Sequence, residues 1–231
     1  QEEIAPRIFS MVLKGEMVEQ MLAGQFLHIR VPDDSKLLRR PISISEIDPD
    51  RHTCRLIYRV EGGGTAIFSQ LPFGSFLSVM GPQGNGFDLK GLGQGARALI
   101  IGGGIGVPPL VQVAKQLHEQ GVEVHSVLGF ATKEAVILEE ELKQYGQVTI
   151  TTDDGSYGIQ GNVSTVVETL NEDIDAVYSC GAPGMLKYVN SKFYDHPRAY
   201  ISMESRMACG MGACYACVVH LENAGQAANK R

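Results

Sequence analysis

Ala98-Leu99-Ile100-Ile101-Gly102-Gly103-Gly104-Ile105-Gly106-Val107-Pro108 decides how this 231-residue chain is organised. Ala98–Ile101 reads as an apolar strand, Gly102–Gly106 as a glycine-rich turn, and Pro108–Gln120 as a helix with apolar residues at helical spacing, stopped by Gly121. The same unit repeats toward the C-terminus. Strands are expected at Glu123–Gly129, Gln147–Thr151, Ala176–Cys180 and Ala199–Met203, and helices at Lys133–Tyr145, Val163–Leu170 and Gly184–Phe193. Strands alternating with helices imply right-handed crossovers and a parallel sheet covered on both faces.

Toward the N-terminus the texture changes. Gln25–Val31, Cys54–Val60 and Phe76–Met80 are short β-type runs bounded by Pro, Gly and Asp clusters. Pro32, Pro41, Pro49, Pro72 and Pro82 break any helix longer than a turn or two, although Gly62-Gly63-Gly64-Thr65 can open a short one over Ala66–Leu71. The expected fold is therefore a β-barrel plus α/β: a small antiparallel barrel over 1–93, an α/β domain over 94–203, and a short region over 204–231. The glycine-rich segment Gly91–Gly95 is the expected hinge between the first two.

A hydrophobic fraction of 44% and 27 glycines suit α/β cores. The net charge of −6 argues against nucleic acid, which is held by an excess of Lys and Arg. No secretory leader is expected and no apolar stretch reaches membrane-spanning length, so a cytoplasmic protein is expected. Because the chain begins at Gln1 rather than Met, the N-terminus is expected to be incomplete. Five cysteines is an odd count, and three crowd into Cys209–Cys217, which points to metal or redox chemistry rather than a disulfide framework.

Several segments have the chemistry of nucleotide sites. Gly102, Gly103, Gly104 and Gly106, between a strand and a helix start, let the backbone approach a pyrophosphate. The third glycine of G-x-G-x-x-G is replaced by Val107, and the bland alternative is a turn packed tightly for its own sake. Ligands of such sheets bind at the carboxyl ends of the strands. There Asp153 and Asp154 can accept ribose hydroxyls of NAD and repel the 2′-phosphate of NADP, or simply form a solvated Asp-Asp-Gly turn. At the end of the next strand Gly181 allows a ring to approach, while Cys180 is either part of that site or a buried core cysteine. In the barrel half, Arg39-Arg40-Pro41-Ile42-Ser43 places a guanidinium beside hydroxyls, and the Gly62–Thr65 turn offers N–H groups to a phosphate.

Cys209-Gly210-Met211-Gly212-Ala213-Cys214-Tyr215-Ala216-Cys217 has the C-x₄-C-x₂-C spacing of plant-type [2Fe–2S] clusters. Gly210 and Gly212 let the loop curl and aim N–H groups at sulfur. A zinc site would need paired C-x₂-C units, and only one is present. Fourteen residues follow Cys217 and none is Cys. Cys54 and Cys180 lie in other contexts and His220 is an alternative ligand, so the fourth ligand is expected to be a cysteine just beyond Arg231.

Arg40-Pro41-Ile42-Ser43, Gly64-Thr65, Gly81-Pro82-Gln83-Gly84, Gly102–Gly106 and Cys180-Gly181, in that order, resemble the ferredoxin-reductase superfamily. The resemblance covers essentially the whole chain and implies an FAD-binding barrel followed by an NAD-binding domain. It implies that Arg40 holds the FAD pyrophosphate and that Ser43 approaches the flavin. It further implies that Ile57, Tyr58 and Arg59 line the FAD site and that Gly64 and Thr65 contact the phosphates. Ile42 stands where many relatives have an aromatic residue. The C-terminal cluster, entered through Met203-Glu204-Ser205-Arg206-Met207-Ala208-Cys209, and Asp153-Asp154-Gly155-Ser156-Tyr157-Gly158 are similar to the electron-transfer subunits of class 1B dihydroorotate dehydrogenases. That implies an FMN-containing dihydroorotate dehydrogenase catalytic subunit as partner, an α₂β₂ assembly, and net flow from dihydroorotate through FMN, cluster and FAD to NAD⁺. Related subunits of a hydrogenase or transhydrogenase, or a non-catalytic redox sensor, are the competing readings.

Overall fold

The computed structural model describes residues 1–170 and 173–217 and holds two six-stranded sheets. The first is antiparallel and is built from β1 (Glu2–Ala5), β2 (Ile8–Lys14), β3 (Phe26–Ile29), β4 (Arg40–Asp48), β5 (Thr53–Arg59) and β6 (Val79–Gln83), in the order β1-β2-β5-β4-β3-β6. It wraps one core of Met11, Leu27, Ile29, Ile44, Leu56 and Tyr58, which Phe68 of helix α1 (Gly63–Ser69) also enters. Pro82 is tolerated in β6 because that strand lies at the sheet edge and needs a ladder donor on one side only. The strand expected at Phe76–Met80 starts later, at Val79, because its partner β3 reaches no further, and Phe76 is fully exposed.

The second sheet is parallel. It comprises β7 (Arg97–Gly103), β8 (Glu123–Phe130), β9 (Gln147–Thr152), β10 (Ile159–Gln160), β11 (Ala176–Cys180) and β12 (Ala199–Ser202), ordered β10-β9-β8-β7-β11-β12. Helices α2 (Pro108–Glu119), α3 (Glu139–Leu142), α4 (Val163–Val167) and α5 (Pro183–Lys192) make the connections. Leu99, Ile101, Val127 and Val177 pack under α4 and α5, while Ile100, Leu128 and Tyr178 pack toward α2. Strand order reverses between β7 and β11, so the ligand crevice of this sheet lies beyond Gly103 and Cys180. Among the described residues no helix is long and apolar enough to cross a membrane.

The single helix expected over Lys133–Tyr145 is broken. A 3₁₀ turn covers Lys133–Ala135, Val136 is extended, Leu138 is left-handed with φ 64°, and only Glu139–Leu142 is α-helical. Burying Ile137 while Val136 and Leu138 also pack on the core needs three successive apolar residues directed inward, which a helix face cannot supply. Glu139, Glu140 and Glu141 then occupy the first turn of α3, where the helix dipole favours carboxylates.

The two sheets meet where α2 crosses β4. β4 carries a bulge between Ile44 and Glu46: its first half pairs with β3 and its second half with β5 alone. Past the bulge one edge of β4 has no strand beside it among the described residues, and the buried amide of Gln112 fills the gap, accepting the Ile47 N–H at 2.9 Å. Arg55 bridges Glu46 of β4 and Glu141 of α3, and Lys115 of α2 lies 3.5 Å from Glu46. Ile8, Ala23 and Ile57 from the antiparallel half share one core with Leu110, Val111 and Ala114 of α2.

Replacing Gln112 with Leu keeps the volume but orphans the buried Ile47 N–H, at a cost of about 1–3 kcal/mol. Thermal unfolding of Gln112→Leu is expected to show a lower Tm than the parent chain, whereas Gln116→Leu at a half-buried position of the same helix is expected to change it little. Equal melting of all three proteins would show that the Gln112 contact adds nothing.

Candidate functional site

Three constellations carry the candidate chemistry. The first is at the start of β4. A Cβ on Gly64 would lie 2.7 Å from Arg40 Nε and 3.0 Å from its Cζ, so only glycine lets the guanidinium lie against the first turn of α1. Nη1 of Arg40 donates to the Leu38 carbonyl. A Cβ on Gly63 would meet Lys36 Cε at 3.2 Å, which brings a second cation to the same turn. The first N–H groups of a helix have no intrahelical acceptor. Two cations and free N–H groups on one turn make a cradle for a polyanion. Thr65 is less free than its motif suggests: its hydroxyl accepts from Glu61 and Gly62 N–H and donates to the Gly62 carbonyl.

The other barrel residues divide by strand pleat. Arg40 and Ile42 pair with Ile29 and Leu27, and Ile42 packs on the barrel core. Pro41 and Ser43 pair with His28 and Phe26 and lie on the opposite face. On β5, Ile57 faces the seam with α2 and Tyr58 the barrel core, where its hydroxyl donates to Gln1 and burial pushes its pKa up to about 12. Arg59 is exposed and paired with Glu61.

The second constellation is the β7–β11 crevice. A Cβ on Gly106 would fall 2.5 Å from the Cys180 carbonyl oxygen and 2.6 Å from Gly181 Cα, so this glycine is demanded by backbone-to-backbone contact. Val107, in place of the third motif glycine, is fully buried and packs on Gly102. Met185 lies over both Gly103 and Gly181 and forms the floor of the crevice. The Cys180 thiol is buried and pushed up to about 12, so it acts as a small core residue. Asp153 and Asp154 follow β9, two strands from β7, roughly 10 Å away. Asp154 accepts from the N–H and hydroxyl of Ser156, which hold its carboxyl below the usual range, so it serves the turn; Asp153 stays exposed.

The third is the cysteine loop. After β12 the chain passes Glu204, an exposed residue whose carboxyl is raised by partial desolvation and then by Glu61. Gly210, Gly212 and Tyr215 have positive φ, and backbone N–H groups of Cys214, Met211 and Ala213 turn toward Cys209. The Cys214 backbone first, then its thiol, lower the Cys209 thiol to about 6. This is the curl that the glycine spacing requires, and it suits an anionic sulfur. Among the described residues no three His, Cys, Asp or Glu side chains converge closely enough to hold a metal ion. His220 lies outside the described residues. Lys36, Met185, His28 and Gln112 escaped the sequence reading because each is an isolated residue whose place is set by tertiary contact alone.

This fold and these sites define a class: an oxidoreductase with FAD-binding and NAD-binding modules and an appended iron–sulfur loop. Residues 4–87 match the oxidoreductase FAD-binding domain, 100–191 the oxidoreductase NAD-binding domain, and 204–231 the iron–sulfur cluster binding domain of dihydroorotate dehydrogenase B. The chain is 70% identical to the dihydroorotate dehydrogenase B (NAD(+)) electron transfer subunit of Streptococcus pneumoniae (strain ATCC BAA-255 / R6), over 95% of this chain and 86% of that one. It is 67% identical to the subunit of the same name from Streptococcus mutans serotype c, over 100% and 90%. An NADH-dependent reduced ferredoxin-NADP oxidoreductase structure superposes with a TM-score of 0.84 at 26% identity, covering 94% of this chain and 79% of that one. The chain belongs to the dihydroorotate dehydrogenase B electron transfer subunits.

Thiol reactivity tests the division among the five cysteines. Cys54, buried and pushed up to about 11, and Cys180 are expected to react with a disulfide reagent only after unfolding. Cys209, Cys214 and Cys217 are expected to react at once in native, iron-free protein. Four or five fast thiols would contradict the placement of Cys54 and Cys180.

Proposed function

We propose that this chain passes electrons between an FMN-containing subunit that oxidises dihydroorotate and NAD⁺, as one half of an α₂β₂ complex of pyrimidine biosynthesis working in the cytoplasm. The observation that carries this reading is a contact. Gly210 of the cysteine loop packs on His28, the cross-strand partner of Pro41 in the Arg40–Ser43 strand. An iron–sulfur loop held against that barrel face lies beside the proposed flavin site, as electron transfer needs. When bound, FAD couples the two-electron chemistry of NAD⁺ to the one-electron chemistry of a [2Fe–2S] cluster.

The protein's own part is to bind and orient. Arg40, Lys36 and the Gly63–Thr65 N–H groups hold the pyrophosphate, and Pro41 and Ser43 present β4 to the flavin. Ile42, which packs into the barrel, gives no stacking surface. Ile57 and Tyr58 support the site from the core and Arg59 from the rim. Gly102–Gly106 and Gly181, beside buried Cys180, open the crevice to the nicotinamide end of NAD⁺. Asp153 faces the ribose hydroxyls with Asp154 fixing its turn, which disfavours a 2′-phosphate. Cys209, Cys214 and Cys217 supply three cluster ligands.

Reconstitution tests the whole reading. The full-length subunit, purified with its natural partner, is expected to reduce NAD⁺ with dihydroorotate as donor, to prefer NAD⁺ over NADP⁺, and to lose this activity when either subunit is omitted. NADH oxidation by an artificial acceptor with no response to dihydroorotate would remove the assignment of the partner. Separately, Arg40→Ala is expected to weaken FAD binding by one to two decades, the loss of a charge-assisted contact of roughly 1.5–3 kcal/mol. Unchanged FAD affinity would remove Arg40 from the site.

A further inference from the structure

Barrel packing has no use for the His28 side chain of β3. Leu27 and Ile29 enter the core, whereas His28, between them, lies on the opposite face with Pro41. It is nonetheless fully buried, and neither Nδ1 nor Nε2 completes a hydrogen bond among the described residues. A buried polar group without a partner costs about 1–3 kcal/mol, so its retention calls for a reason. What covers it is the cysteine loop. A Cβ built on Gly210 would fall 2.3 Å from His28 Nδ1, 2.9 Å from Cε1 and 3.0 Å from Cγ, and Gly210 has φ +70°. The absence of a side chain at Gly210 is therefore matched to the imidazole, beyond what the turn itself demands. Backbone acceptors of Arg39 and Cys209 adjoin the ring. Arg39 is itself tied down, donating to the His28 and Ser78 carbonyls at 3.3 and 2.7 Å and to Ser78 Oγ at 3.0 Å, so β3 is rigid under the loop.

We propose that His28 is a positioning residue for the iron–sulfur loop: its ring fills the hollow beneath Gly210, and its unpartnered N–H is placed to donate to the backbone acceptor at Cys209. This rests on the reading of Cys209, Cys214 and Cys217 as cluster ligands. Outer residues that fix ligand backbones set both how firmly a cluster is retained and its electronic environment. A donor anchored on β3 fixes the Cys209 end of the loop at a set height above the Pro41–Ser43 face. The glycine following the first cysteine and the histidine of β3 then form one lock, with one part in each half of the protein.

The test uses the full-length subunit in its complex. The variants are His28→Phe, which fills the space without a donor, His28→Asn, which keeps a donor near the Nδ1 position, and Gly210→Ala, which leaves the barrel strand unchanged. The readouts are iron and FAD per chain, the rate of iron loss to a chelator, the electron paramagnetic resonance spectrum of the reduced cluster and its midpoint potential. His28→Phe and Gly210→Ala are expected to lose iron roughly tenfold faster or more, with an altered spectrum and potential. FAD content is expected to stay at the parent value, and His28→Asn to return most of the parent behaviour. Parent-like retention, spectrum and potential in both His28→Phe and Gly210→Ala would overturn the proposal. So would a His28→Asn variant as impaired as His28→Phe. An unmodified complex lacking about two irons per chain would instead defeat the cluster reading itself, which keeps the two failures distinct.

Discussion

The Gln112 amide against the Ile47 N–H is the contact on which the relation between the two halves depends. It exists because β4 has a bulge. A regular strand would have kept its ladder on both sides, and the second sheet would have met only side chains. With one edge of β4 unpaired past Ile44, the backbone of one sheet is joined to a helix of the other through a buried, directional hydrogen bond. The apolar contacts of Ile8, Ala23 and Ile57 with α2 contribute area, and the Arg55, Glu46 and Glu141 cluster contributes charge, but neither fixes register as an amide does.

The functional consequence follows from what lies at the other ends of those two elements. β4 begins with Arg40–Ser43, and α2 begins directly after the Gly102–Gly106 turn. Both proposed cofactor sites thus adjoin the starts of elements that the Gln112–Ile47 contact clamps together. The cysteine loop joins the same framework from a third direction, through Gly210 on His28 of β3, the strand paired with the start of β4. The proposed electron path needs its three sites at fixed separations, and the β3–β4 strand pair and α2 are the elements that carry them.

Much of this was legible in the sequence, for definite physical reasons. The alternating strands and helices after Ala98 announce a parallel sheet because central strands such as Ala98–Ile101 and Ala176–Cys180 are apolar on both faces, and the crevice follows from the rule of strand ends. The cysteine spacing states its chemistry because few other uses need three thiols in nine residues. The broken segment Lys133–Tyr145 was not legible: its helical composition is overridden by the burial of Ile137, a tertiary effect. The bulge at Ser45 leaves no sequence mark, so Gln112 reads as an ordinary polar residue of a helix. Asp154 illustrates two readings of one residue, since the turn role open from sequence is the one its hydrogen bonds to Ser156 express. His28 was invisible because its meaning depends on Gly210, which is 182 residues later.

The central claim is that the α2–β4 seam sets the distance between the nicotinamide crevice and the flavin strand. Single-turnover bleaching of the flavin by NADH, measured in stopped flow on the Gln112→Leu protein at a temperature where it is fully folded, tests this most directly. The account predicts slower flavin reduction at saturating NADH, with unchanged FAD content and NADH affinity, because the sites remain intact and only their mutual placement loosens. Flavin reduction at the parent rate would contradict it.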